Sequence, residues 1–300
     1  MSTDTAHASP NVGVRVVIAL MGALTCFAAI AFHRRLSGLH APSARTLTGT
    51  RWCNIGRTRK WPRLALLVFR LSVFLWQSAV LGTLIAYKYP SFREFAFYTV
   101  WNYILQTGWW LSAVAVSGCS IASVQPPRWM CEISYVLFSV SMPASMLVSI
   151  VMWTILAPHD IAHGRAPADI NFFSFNMHAA NTVLLLAEFA VNRVLIGSDA
   201  LVYLVCWMCC YCAFTWIFEA FEHWWPYFFC DLSTWAALGW YTALLLLHLV
   251  AFAVAILFSR TKARLTKGLG PPALRLAETP TATAADALLC AAQTTNNTTT

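Results

Sequence analysis

The sequence predicts an all-α polytopic membrane protein, with six core transmembrane helices and an extra N-terminal one. Three observations carry that prediction. Hydrophobic residues make up 59% of the chain and charged residues only 11%, where a soluble domain carries about 25% charged. Apolar runs long enough to cross roughly 30 Å of hydrocarbon recur along the chain, separated by Pro, Gly and charged residues. The 20 Lys and Arg gather on alternate connections between those runs, as membrane topology requires. The net charge of +8 is explained by these loops, so nucleic acid is not an expected partner; the expected partner is the lipid bilayer.

The first run, Val16 to Phe32, is followed at once by His33, Arg34 and Arg35. A cleaved signal peptide would carry its stronger positive charge ahead of the apolar core, and here only Arg15 precedes it, so an uncleaved span is expected. The basic stretch from His33 to Trp61 holds no acidic residue and reads as an irregular loop. Spans two to four are expected over 63–87, 95–116 and 130–156, with Pro143 kinking the fourth. Gln125, Pro126 and Pro127 mark the turn before it, and Gly164 and Pro167 lie in the loop after it. The fifth span runs from Phe172 to Val191, the sixth from Leu201 to Phe218 and the seventh from Thr234 to Phe258. The domains are therefore 1–62, an apolar segment with its basic loop; 63–259, the helical core; and 260–300, a basic, then Thr/Ala-rich tail too poor in apolar surface to fold.

Sidedness follows from the charges. Arg15, Lys88, Arg93 and Arg165 fall on one side and Arg70 lies within a span; every other Lys and Arg falls on the opposite side. The positive-inside rule then puts the C-terminus in the cytosol of an endomembrane or plasma membrane and the N-terminus outside. The sequons at Asn296 and Asn297 would be cytosolic and unmodified.

Polar residues inside spans are costly against lipid and mark functional positions. In FAFYTVWNYILQTGWW, Thr99, Asn102, Tyr103 and Gln106 share one helical face. In the fifth span Ser174, His178, Asn181, Thr182 and Glu188 repeat the arrangement. Thr99 and His178 lie at similar depth, each near one turn inside the outer ends of their spans. A hydroxyl needs an adjacent base to act as a nucleophile, and a neutral imidazole supplies one. Asn102, Gln106 and Asn181 are candidate oxyanion donors, and Glu219 or Glu222 are candidates for orienting the imidazole. Spans three, five and six are expected to surround a polar cavity, with span seven apart from it. The competing readings are that these groups only hold helices together or line a ligand pathway marked by Glu188. Cys206, Cys209, Cys210 and Cys212 resemble a metal cluster superficially, but Cys212 leaves the side shared by the other three and no His lies close by in sequence. No metal and no cofactor is expected.

FYTVWNYILQ, FNMHAANTVLLLAE and TWIFEAFEHWWPYFF resemble, in order and approximate separation, segments of the androgen-induced-gene and rolling-stone family of multi-pass membrane proteins. The resemblance covers about Leu64 to Ser259. It implies a metal-free hydrolase of fatty-acid esters of hydroxy fatty acids, with Thr99 as nucleophile and His178 as base and a lipid ester as substrate. Family members of the rolling-stone type, associated with cell fusion, imply the alternative of a non-enzymatic protein of fusion, receptor or transport type. The chain departs from the hydrolases where they carry a His-rich turn: here stand Phe218, Glu219 and Ala220, with His223 displaced and the aromatic-Pro element given by Trp225 and Pro226.

Overall fold

The computed structural model describes residues 11–36, 61–88, 92–164 and 171–266. The N-terminal polar stretch, most of the basic loop, part of the loop after the fourth span, and the tail with Asn296 and Asn297 lie outside them. All the regular structure among the described residues is helical: α1, Val12–Leu36; α2, Trp61–Lys88; α3, Tyr98–Ile121; α4, Arg128–Ala162; α5, from Phe172 to Val191; α6, Leu201–Glu222; and α7, Ala236–Thr266. Six of these, all but α5, are long and apolar enough to cross a membrane. This is an all-α polytopic architecture whose first span is the N-terminal helix. α5 covers the expected fifth span but is divided into Phe172–Phe175, a π-helical turn at Asn176–Ala180, and Asn181–Val191.

α4 is the central helix. Two-thirds of its most apolar stretch is buried, against a third or less in the other five long helices. Its inner positions are small, with Ser139, Ser141, Ala144 and Ser145 fully buried, which lets neighbouring backbones approach closely where lipid gives no hydrophobic drive to association. α4 continues through Pro143; its irregularity falls later, in a second π turn at Met152–Leu156, and it ends at Ala162 rather than the expected Leu156. Trp109, Trp110 and Phe138 fill the seam between α3 and α4.

Several ends are fixed by specific bonds. The Asn11 side chain caps α1 by accepting from the Gly13 and Val14 amides. Its own amide bonds the Leu232 carbonyl, tying α1 to the α6–α7 connection. Asn171 caps α5 through Phe173 and Ser174. α6 runs a turn beyond its expected end and stops at His223, whose φ of 51° is left-handed, a conformation unusual for a residue with a Cβ.

At the end of the bundle opposite these caps, Arg70 of α2 is fully buried and donates through Nε (3.1 Å) and Nη2 (2.5 Å) to Oε1 of Glu188 on α5. Its Nη1 reaches the Ser117 hydroxyl at 2.6 Å. Asn192 also donates to Glu188 and accepts from Lys262 of α7. The sequence reading starts the basic tail at Arg260; the helix instead carries Lys262 into the protein, where it meets the Phe189 and Val194 carbonyls. Compact packing of the bundle ends at Ala263, and a second unit begins at Arg264.

Candidate functional site

Thr99 stands on the first turn of α3, not a full turn inside it. The expected third span begins with a 3-10 turn, Phe92–Ala96, and the helix starts only at Tyr98. That start is held by the indole of Trp101 on the Phe95 carbonyl (2.8 Å) and the hydroxyl of Tyr211 on the Ala96 carbonyl (2.8 Å). Phe97, the N-cap, offers no side-chain acceptor. Tyr227, from the α6–α7 connection, takes that place: its phenol meets the Thr99 hydroxyl and the backbone N–H groups of Thr99 and Tyr98. Burial pushes the Tyr227 phenol up to about 12, with the Thr99 hydroxyl and these N–H groups opposing the shift.

His178 sits in the π turn of α5. Such turns interrupt the regular i→i−4 ladder and recur at functional sites. Here the displaced backbone groups are satisfied by side chains. Ser149 of α4 donates to the His178 carbonyl and its hydroxyl meets that of Thr182 at 2.7 Å. Asn181 donates to the Met177 carbonyl and accepts from the Thr182 amide. The candidate oxyanion donor Asn181 therefore has both ends of its amide engaged in holding the turn. The His178 ring donates to the Val148 carbonyl, while Nδ1 is buried without a hydrogen-bond partner. A neutral imidazole that donates from one nitrogen keeps a lone pair on the other, so a backbone carbonyl orients this ring.

Thr99 and His178 line one cavity of about 420 Å³. Its polar end also carries Tyr98, Tyr227 and His248. The His248 Nδ1 donates to the Leu244 carbonyl (2.8 Å), which leaves Nε2 to accept from the Tyr98 hydroxyl at 3.1 Å. The rest of the wall is mainly apolar and comes from α1, α4, α6 and α7. The expectation of a polar cavity among spans three, five and six with span seven apart is thus corrected: α7 supplies Tyr241, Leu244, Leu245 and His248. The remaining polar residues of both stripes turn into helix contacts, and the hydroxyls of Thr25, Tyr211, Thr215 and Tyr241 in the lining donate to backbone carbonyls.

The candidate oxyanion and orienting residues lie off this cavity, whereas Cys209 and Cys212 of the cysteine cluster line it. Asn102 is fully buried on α3 with both amide atoms unpartnered. Gln106 accepts from Gln77 of α2 at 3.4 Å. Glu219 pairs with Arg15 of α1 at 2.9 Å, and Glu222 with Arg93 at 3.5 Å. Among the described residues no group of three His, Cys, Asp or Glu is disposed to hold a metal. Tyr227, His248 and the α1 wall escaped sequence reasoning. The one legible signal was Tyr227, which follows the aromatic-Pro element.

Fold and cavity together define an all-α membrane-type bundle with a hydroxyl and an imidazole at the polar end of an apolar pocket. Comparison with known families, characterised proteins and solved structures finds no match to this chain.

Proposed function

We propose that this protein is a membrane-embedded hydrolase of long-chain lipid esters, of the androgen-induced-gene and rolling-stone type, using Thr99 and His178 without a metal. The observation that supports this reading is that Thr99 and His178 line the same, mainly apolar cavity. Thr99 Oγ attacks the ester carbonyl carbon while His178 takes its proton. The tetrahedral adduct collapses with cleavage of the C–O bond, and the proton passes to the departing alkoxide, releasing the alcohol. Water, deprotonated by His178, then attacks the acyl-threonine carbonyl; the C–Oγ bond breaks to release the acid, and His178 returns the proton to Thr99 Oγ. The Tyr227 phenol, whose oxygen caps the first turn of α3, keeps its O–H to donate to the developing oxyanion beside Thr99, at the positive end of the helix dipole.

The reading in which these groups only pack helices accounts for Asn181, Thr182 and Gln106, whose bonds are structural. It leaves the unpartnered Nδ1 of His178 without a role. The charge distribution favours a cytosolic C-terminus, so a tag at Thr300 should be inaccessible from outside and an engineered sequon between Asp160 and Asn171 should be glycosylated.

The test is hydrolysis of a long-chain ester by purified protein. Thr99→Ala and His178→Ala should each abolish it with the fold intact, and the double variant should be hardly worse, since a nucleophile and its base act as one unit. A fluorophosphonate probe should label the wild type and not Thr99→Ala. Full activity in purified Thr99→Ala would remove Thr99 from the mechanism.

A further inference from the structure

α1 stands outside the stretch that resembles a known family, yet it closes one long side of the cavity. Ile18, Met21, Gly22, Thr25 and Cys26 face inward across from α6 and α7. The helix is tied into the bundle at both ends and along its length. Arg15 pairs with Glu219, Cys26 Sγ lies 3.3 Å from Cys209 Sγ on α6, and the His33 ring meets the Asp199 carbonyl at 3.1 Å. Its opposite face, with Val16, Leu20, Leu24 and Phe27, is exposed and apolar, as a lipid-facing surface should be.

Gly22 is at the middle of this wall. A Cβ placed there would find only Cys209 Sγ, at 4.0 Å, so the missing side chain leaves open space and is not required by a backbone contact. The cavity is of the size that holds one extended small molecule, roughly 300–1,000 Å³ in ligand sites generally. Beyond the Thr99 end its lining is mainly apolar, and the hydroxyls there, on Thr25, Tyr211, Thr215 and Tyr241, are each taken up by a backbone carbonyl. One occupant fits that division: a single-chain amphiphile whose ester lies at Thr99 and whose hydrocarbon runs along α1.

We propose that α1 is the acyl-chain wall of the site and that Gly22 sets how long a chain it accepts. This rests on the hydrolase reading above and adds a specificity determinant to it. Because a hydrocarbon tail gains little on moving from lipid into an apolar pocket, selection by chain length must come from the shape of the wall. A bulky side chain at Gly22 projects into the space the chain would fill and leaves the Thr99 end unobstructed.

The experiment compares hydrolysis of p-nitrophenyl butyrate and p-nitrophenyl palmitate by purified wild type, Gly22→Phe and Leu245→Trp, the last narrowing the cavity from the α7 side if the first fails to fold. Expected is at least a tenfold fall in kcat/KM for palmitate with butyrate unchanged within about twofold. Equal loss on both esters, or no loss on either, in a folded variant overturns the proposal. If the wild type hydrolyses neither ester, the hydrolase reading fails, and the wall is tested by binding of cis-parinaric acid. At least tenfold weaker binding by Gly22→Phe upholds the wall, and equal binding overturns it.

Discussion

Replacing Glu188 by Ala should be among the most damaging single changes in this protein, and its size can be argued from the contacts. Arg70 and Glu188 are both fully buried. The carboxylate accepts two bonds from the guanidinium and one from Asn192. An ordinary polar contact between membrane helices contributes about 0.6 kcal/mol. Removing one partner of a buried ion pair costs about 3–5 kcal/mol, because the surviving charge is left uncompensated. The larger figure applies here, since both side chains are fully buried and the guanidinium loses the carboxylate that meets it at two nitrogens. Removing both charges should cost much less than the sum. Arg70→Met with Glu188→Leu fills similar volume without an orphan charge, and such replacements are often neutral.

The assay is reversible unfolding in mixed micelles with wild type, both single variants and the double. Each single should lose about 3–5 kcal/mol and the double should recover at least 2 kcal/mol relative to additivity. Single losses near 0.6 kcal/mol that simply add in the double would mean that the pair is not formed in the membrane-embedded protein.

Other expectations follow from the site. Tyr227 carries a phenol raised from 10.0 to about 12 by burial, so the fold binds its proton more tightly than the unfolded chain; its contribution to stability should be intact below pH 10 and fall by about 1.4 kcal/mol per pH unit between 10 and 12. Tyr227→Phe should make the alkaline decline shallower by about that amount while lowering ester hydrolysis, and an unchanged slope would remove Tyr227 from it. Asn181→Leu should cost about 1–3 kcal/mol by orphaning the Met177 carbonyl and Thr182 amide and should reduce kcat; wild-type stability and rate would deny it the role of holding the π turn. Cys26 and Cys209, with sulfurs 3.3 Å apart, should form a disulfide under copper–phenanthroline after about 1.3 Å of approach. Peptide mapping that finds Cys26 unlinked in folded protein would separate α1 from α6.

Much of the bundle is legible in the sequence because lipid imposes one strong rule: the backbone must satisfy itself, so spans are helices of apolar residues. Positions and order follow, as does the inward turn of Asn102, Gln106 and Asn181. Less legible is which polar group meets which, because partners lie on different helices at long range. Arg70 and Glu188 could have been paired in advance, as opposite charges within spans near the same end of the bundle. The π turns could not, since Asn176–Ala180 has no composition that marks one; they depend on Ser149 and Thr182 arriving from neighbouring turns. The apolar wall was equally hidden, because Ile18, Met208 and Leu244 differ from lipid-facing residues only in what packs beside them.

The turn that carries His178 takes in an extra residue without changing the phase of the helix around it. One residue more is wound into each hydrogen-bonded ring than an α turn holds, so the turn widens, and the helix beyond it keeps nearly the direction it would have had. Deleting a single residue within 176–180 should therefore leave Glu188 on Arg70, while replacing the widened turn, and the His178 carbonyl that Ser149 meets, with an ordinary α turn. The irregular turn confines a change of length to the cavity end of α5 and leaves the buried charge at its other end where it was.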